Sequence, residues 1–291
     1  MSKILLTGAY GQVGRELEEQ LLLNNHQVIS CSHHDLDITN EDEVASMFFN
    51  VDFDLVINSA AYTAVDQAED EKDLAYAVNA LGPKYLASAC KQKNIPLIHI
   101  STDYVYDNNI EDFHTELETP HTNCVYGNTK LYGEKYVQES GCNAVILRAS
   151  WIFGRFGKNF VKAMLNLGKT RDTLSVVSDE LGNPTPARAL ATDIVAIANQ
   201  LLQGRTDAFG IYNYCGHEAI SRDEFARVIF KEALKHKLLD HDVFVRSITS
   251  QEFGAKAVRP HDSRMSTKKF EETFNLARPK WIDYIEETLK A

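Results

Sequence analysis

No stretch of this sequence approaches the roughly 20 consecutive apolar residues that a membrane-spanning helix needs, so no membrane partner is expected. The opening residues, Met1-Ser2-Lys3, lead into Ile4-Leu5-Leu6, a run too short for a signal-peptide core and interrupted by Gly8. Basic residues are outnumbered: 30 Lys and Arg face 41 Asp and Glu, for a formal net charge of −11. Binding to nucleic acid needs dense clusters of Lys and Arg, and none is present, so no nucleic-acid partner is expected. A single anionic ligand remains compatible, since a helix N-terminus and a few arginines suffice to hold it. Cysteine is sparse as well. The five (Cys31, Cys90, Cys124, Cys142, Cys215) are odd in number, form no C-x-x-C pair and show no metal-ligand spacing with histidine. They read as buried, reduced thiols. The cytoplasm is the expected compartment.

What is present is an alternation. In the first half, short apolar runs at Lys3–Thr7, Gln27–Cys31, Leu55–Ser59, Leu97–Ser101 and Ala144–Ala149 predict strands. Val13, Leu17 and Leu21 recur every four residues, predicting a helix that starts near Gly11. Asn40 with Glu43 reads as a capping box for a helix through Phe49, and Pro83 as the first residue of a helix running to about Lys93. Strands alternating with helices of this length imply βαβ units and a parallel sheet. After residue 150 the texture changes. Helices are expected at Asn159–Gly168, Arg188–Gln203, Asp223–His236 and Trp281–Leu289, with strand-like runs at Leu174–Val177 and Val243–Thr249. The expected fold is α/β: a Rossmann-type doubly wound parallel sheet with a smaller mixed α/β substrate-binding lobe. Residues 1–150 would form the NAD(P)-binding domain. Residues 151–291 would form mainly the substrate-binding lobe, with some segments returning to the core domain.

The cofactor assignment starts at Gly8-Ala9-Tyr10-Gly11-Gln12-Val13-Gly14, a G-x-x-G-x-x-G loop between the first strand and the first helix. Such glycines give a tight turn, close approach to a pyrophosphate, and close helix–strand packing. The second strand ends in Ser30-Cys31-Ser32-His33-His34, with no carboxylate to hold the ribose 2′-hydroxyl of NAD. A nearby histidine suits a 2′-phosphate, so NADPH is favoured over NADH, with both usable. Asp37-Ile38 opens a loop placed to meet the adenine.

Thr102 and Asp103 follow directly on an apolar strand, at the end where open α/β sheets bind ligands. Tyr126 and Lys130 are four residues apart and so share one helix face. An isolated phenol, with a pKa near 10, is a poor acid–base group at neutral pH, and an adjacent ammonium draws that value down. Tyr132 and Tyr136 have no lysine four residues on.

Taken in order, the glycine loop, Asn58-Ser59-Ala60-Ala61-Tyr62-Thr63-Ala64-Val65-Asp66, Ser101-Thr102-Asp103-Tyr104-Val105-Tyr106 and Tyr126-x-x-x-Lys130 resemble an extended short-chain dehydrogenase/reductase. More narrowly they resemble the dTDP-4-dehydrorhamnose reductase family. The likeness continues through Arg148-Ala149-Ser150-Trp151, Gly182-Asn183-Pro184-Thr185 and Arg259-Pro260 with Ser263-Arg264, and so spans nearly the whole chain. The resemblance implies a dTDP-sugar substrate whose C4 keto group is reduced with NAD(P)H. It implies Tyr126 as proton donor, Lys130 as holder of the nicotinamide ribose, and Thr102 as a hydrogen-bond partner of the keto oxygen. Gly8, Gly11, Gln12 and Val13 would meet the pyrophosphate, Asp37 and Ile38 the adenine, and Ala61, Tyr62 and Thr63 the ribose and phosphate region. Val65, Thr102, Asp103 and Trp151 would line the sugar pocket.

One departure concerns metal. Some family members carry magnesium at a dimer contact built from three glutamates. Glu16 matches the first, but Arg188 and Lys268 stand at the other two positions. Cations cannot replace hard oxygen ligands, so no metal is expected, and the chain is expected to be a monomer or a weak homodimer. The alternatives are a reductase or epimerase of another nucleotide-linked 4-keto sugar, or a non-catalytic regulatory homologue. The intact Tyr–Lys pair argues against the second.

Overall fold

The computed structural model describes residues 1–107 and 112–291. Five apolar runs become β1 (Lys3–Thr7), β2 (Gln27–Cys31), β3 (Leu55–Asn58), β4 (Leu97–Thr102) and β5 (Ala144–Ala149). Every residue of β3, β4 and β5 is buried, as expected for parallel strands covered on both faces. A sixth strand, Gly210–Tyr214, comes from the second half and pairs with β5. All six are parallel, in the order β2-β1-β3-β4-β5 followed by 210–214. The strand order reverses between β1 and β3, and the crevice at their carboxyl ends is where such sheets bind nucleotides.

Helices cover both faces. On one, α1 (Gln12–Leu23) and the Ala187–Leu202 helix bury Leu17, Leu21, Leu190 and Ile194 against Ile4, Leu6 and Ile57. On the other, α2 (Glu41–Asn50) and the Gly82–Lys93 helix bury Val44, Phe48, Leu86 and Cys90 against Leu5, Val56 and Ile146. Asn40 caps α2 by accepting from the N–H groups of Asp42 and Glu43 at 3.1 and 3.3 Å. Glu43 does not complete the expected box. Its carboxylate instead accepts from the Asp37 N–H at 3.1 Å, which pins the loop after β2.

The helix expected from Pro83 to about Lys93 is present as Gly82–Lys93 with Pro83 in its first turn, but it continues a longer helical path. The helical path begins at Lys72–Tyr76, passes through a π-turn at Ala77–Leu81 and continues as Gly82–Lys93. Pro83 has no N–H to offer an α-turn, and its ring crowds the turn before it; the wider π-turn accommodates both. The predicted terminal helix begins as a 3₁₀ turn, Trp281–Tyr284, and becomes α-helical over Ile285–Leu289.

The second lobe has its own core. Val161, Leu165, Phe225, Ile229, Trp281 and Ile285 pack together around the Phe160–Gly168 and Arg222–Lys235 helices and the parallel pair Thr173–Val177 and Phe244–Ile248. All five cysteines are free thiols. Among the described residues no helix is long and apolar enough to cross a membrane.

Candidate active site

The glycine loop is a tight cradle. Gly8 has φ +68°, in the left-handed region that favours glycine, and a Cβ there would lie 2.6 Å from the Ala60 nitrogen. A Cβ on Gly14 would lie 2.1 Å from the Gly8 carbonyl oxygen, so α1 can start this close to β1 only with glycine. No side chain caps the start of α1, which leaves its first-turn N–H groups open to an anion. The Gln12 side chain donates to the Ile152 carbonyl at 3.1 Å and accepts from Asn159 Nδ2 at 2.8 Å, tying the cradle to the second lobe. The donor set and the steric limits fit a dinucleotide pyrophosphate.

At the end of β2, Ser30 donates to Glu18 at 2.6 Å, and Ser32 donates to Asp35 through both its N–H and its hydroxyl, at 2.8 and 2.6 Å. His33 and His34 are exposed, with ring centroids 3.7 Å apart. Asp37 accepts from the Thr39 N–H and hydroxyl at 2.9 and 2.7 Å. The Ile38 side chain is buried, so its backbone is the part that can face a ligand. Ala61 and Tyr62 are half-buried and Thr63 is exposed. Asn79, in the π-turn, holds this segment: it accepts from the Tyr62 N–H at 2.9 Å and donates to the Tyr62 carbonyl and the Thr129 hydroxyl, both at 3.1 Å. Asn79 was missed in the sequence. Its only signal there is a polar residue inside an apolar helical run.

Tyr126 is the second residue of the Val125–Glu139 helix, which is capped by Cys124 Sγ accepting from the Gly127 N–H at 3.3 Å. The Tyr126 phenol is buried beside the Thr102 hydroxyl, which donates to Asp103 at 3.2 Å. Val65, Tyr104 and Ala257 surround it in one cluster, with the Tyr104 ring edge-on at 5.2 Å. Burial pushes its pKa well above the ordinary phenol value, and the neighbouring Thr102 hydroxyl opposes that rise. Tyr126 therefore carries its proton at neutral pH. Lys130, one turn on, donates from Nζ to the Ile100 carbonyl at 2.6 Å. Burial pulls its pKa down to about 8, against an opposing pull from Glu134. The expected drop in the phenol's pKa is therefore not the state described. Desolvation dominates while Lys130 is turned to the strand.

Below this pair lies a buried polar chain. Glu134, one turn beyond Lys130, accepts from the Ser101 hydroxyl and from Arg148, whose other Nη donates to the Tyr106 hydroxyl at 2.7 Å. Beside Thr102, Asp103 accepts from the Ser263 hydroxyl at 2.7 Å, and burial pushes its pKa up to about 6. Trp151 is half-buried with φ +43°, a strained value for a non-glycine residue.

Glu16 is fully buried, and both its oxygens accept from Arg155, at 3.1 and 2.6 Å. Arg188 pairs with Glu287 at 2.7 Å. Among the described residues no cluster of three or more His, Cys, Asp or Glu is arranged to hold a metal ion.

A glycine cradle at the switch point of a doubly wound sheet, with Tyr126 and Lys130 beside the β4 end, defines an extended short-chain dehydrogenase/reductase. Residues 2–291 match the family model described as the RmlD substrate binding domain. The chain belongs to the dTDP-4-dehydrorhamnose reductase family. It is 40% identical over 282 residues to the dTDP-4-dehydrorhamnose reductase of Aggregatibacter actinomycetemcomitans, covering 97% of this chain and 96% of that one. With the enzyme of Escherichia coli strain K12 it shares 36% identity, over 96% of this chain and 94% of its relative. The crystal structure of the Bacillus anthracis dTDP-4-dehydrorhamnose reductase in complex with NADP superposes with a TM-score of 0.90, at 35% identity and 99% coverage of both chains.

Proposed function

We infer that this chain reduces the C4 keto group of dTDP-4-dehydro-6-deoxy-L-mannose (dTDP-4-dehydro-L-rhamnose) with NAD(P)H, giving dTDP-L-rhamnose for cell-surface polysaccharide. The observation that best supports this reading is the buried Tyr126 phenol placed beside the Thr102 hydroxyl at the carboxyl end of β4. Two hydroxyls on one spot suit a ketone oxygen that is about to gain negative charge.

When bound, the nicotinamide supplies the hydride that C4 takes up. Tyr126 gives its proton to O4, and Thr102 donates a hydrogen bond to the same oxygen. Lys130 holds the nicotinamide ribose, and its positive charge favours the phenolate that Tyr126 leaves behind. Gly8, Gly11, Gln12 and Val13 hold the pyrophosphate. Asp37 and Ile38 meet the adenine, and Ala61, Tyr62 and Thr63 the ribose and phosphate region. Val65, Asp103 and Trp151 line the sugar pocket. Residues 1–150 serve the cofactor and 151–291 mainly the sugar nucleotide, with the Ala187–Leu202 helix and the Gly210–Tyr214 strand serving the cofactor domain.

NADPH is the proposed first choice, because β2 ends without a carboxylate of its own and two exposed histidines follow it. Catalysis is proposed to need no magnesium, since Arg155 occupies the Glu16 carboxylate, and the chain is proposed to act as a monomer or weak homodimer. The free thiols suit the cytoplasm, the proposed compartment. The test is NADPH oxidation with dTDP-4-dehydro-L-rhamnose against UDP- and GDP-linked 4-keto sugars. Preference for a UDP- or GDP-linked sugar would overturn the substrate assignment.

A further inference from the structure

Arg222 opens the Arg222–Lys235 helix, yet its side chain lies flat on the Trp151 indole, with the guanidinium carbon 3.4 Å from the ring centroid. The indole also lies against Gly182, where a Cβ would come 2.6 Å from Trp151 Cε2. Trp151 thus packs against both a glycine and a guanidinium, in a strained backbone conformation.

The Arg222 side chain is 17% exposed, and its one ion pair among the described residues is with Glu180, at 3.5 Å. Other enclosed arginines have a closer carboxylate: Arg148 at Glu134, Arg155 at Glu16 and Arg259 at Asp66 each have one at 2.6 Å, although Arg259 Nη1 is buried without a hydrogen-bond partner among the described residues. A guanidinium presents five N–H donors in a fixed fork. A nearly buried cation with one long ion pair is under-compensated, and an incoming anion relieves that cost.

Its position points to which anion. Arg222 lies in the field of Tyr104, Glu180 and Asp103, and the Tyr104 ring packs edge-on against Tyr126. Tyr104 thus neighbours both Arg222 and Tyr126, which places Arg222 near the phenol on the side of the second lobe. A sugar whose C4 oxygen meets Tyr126 carries its diphosphate from C1, across the ring. We propose that Arg222 binds the diphosphate of the sugar nucleotide, with Trp151 as the platform that fixes the plane of its fork, and Glu180 as the internal anion it holds until substrate arrives. Bidentate recognition of phosphate is the geometry that arginine provides and lysine does not.

The inference rests on the reductase reading. Its test is calorimetric titration of the NADPH-loaded enzyme with dTDP and, separately, with thymidine, for wild type, Arg222→Gln and Arg222→Lys. Arg222→Gln is expected to weaken dTDP by about tenfold or more, the loss that goes with a charge-assisted hydrogen bond, and to leave thymidine affinity unchanged. In turnover, KM for the dTDP-sugar rises while kcat is retained. Arg222→Lys keeps the charge but loses the fork and the stacking, so it also weakens dTDP, by less. Should the glutamine variant fail to fold, the lysine variant decides alone. Unchanged dTDP affinity, or equal losses for dTDP and thymidine, overturns the proposal. If wild type does not turn over the dTDP-sugar, the reductase reading fails. If it does while Arg222→Gln keeps its dTDP affinity, only the role of Arg222 fails.

Discussion

Arg148 and Glu134 form an ion pair 2.6 Å at its shortest, with side chains only 2% and 1% exposed, directly beneath Lys130 and Tyr126. Glu134 also accepts from Ser101 on β4, so the pair bolts the Val125–Glu139 helix to two strands. Tyr126, Lys130 and Glu134 follow one another at four-residue spacing, so the proposed proton donor, its lysine and their anchor share one helix face.

Breaking that pair from one side leaves a buried charge alone. Arg148→Met is expected to destabilise the protein by about 3–5 kcal/mol in urea denaturation, and the double change Arg148→Met with Glu134→Gln by clearly less. Equal losses for the single and double variants would mean that the pair is not what holds the helix.

The lysine sets an alkaline limit. Lys130 titrates at about 8 in the native protein, whereas an unfolded lysine keeps its proton to higher pH. Above about 8 the native side chain loses the charge that assists Tyr126, so kcat/KM for reduction falls as pH rises through that value. Stability moves the other way there, because the unfolded chain binds the extra proton. A pH–rate profile that stays flat well above 8 would remove Lys130 from the mechanism.

Asp103 should trade stability for function. Burial raises its pKa to about 6, so the native state binds a proton that the unfolded state has lost between the ordinary carboxylate value and 6. Stability from this group therefore falls as pH rises through that window, and the penalty is complete above it. Asp103→Asn is expected to raise stability at neutral pH by roughly 2–3 kcal/mol, to change little near pH 3, and to lower kcat/KM. The check is melting temperature against pH. A variant less stable than wild type at neutral pH would refute the sign.

Much of this fold is legible in the sequence for a physical reason. β1, β3, β4 and β5 lie in apolar runs because parallel central strands are buried on both faces, and Tyr126 with Lys130 is a local spacing. The Gly210–Tyr214 strand is not legible in the same way. It starts at glycine and buries Asn213, whose amide is paired with His114 and whose carbonyl accepts from Tyr106, contacts made only after folding. Arg222 is hidden for a related reason. As the first helical residue it looks like surface, and only the fold of the second lobe lays it on Trp151. Pro83 marks the start of its helix legibly, but not the π-turn before it, because proline suits both a helix start and the exit of a π-turn.

Magnesium should be dispensable. Arg155 already bridges Glu16 and Glu19, so EDTA is expected to leave turnover unchanged, and a clear loss restored by magnesium would show that a metal is required.

The central claim is that Tyr126 protonates the C4 keto oxygen, and Tyr126→Phe tests it most directly. Single-turnover reduction of dTDP-4-dehydro-L-rhamnose by this variant is expected to slow by about 10²–10⁴-fold, the range attributed to a positioned general acid, with NADPH affinity nearly unchanged. A variant that reduces the sugar at the wild-type rate would contradict the account.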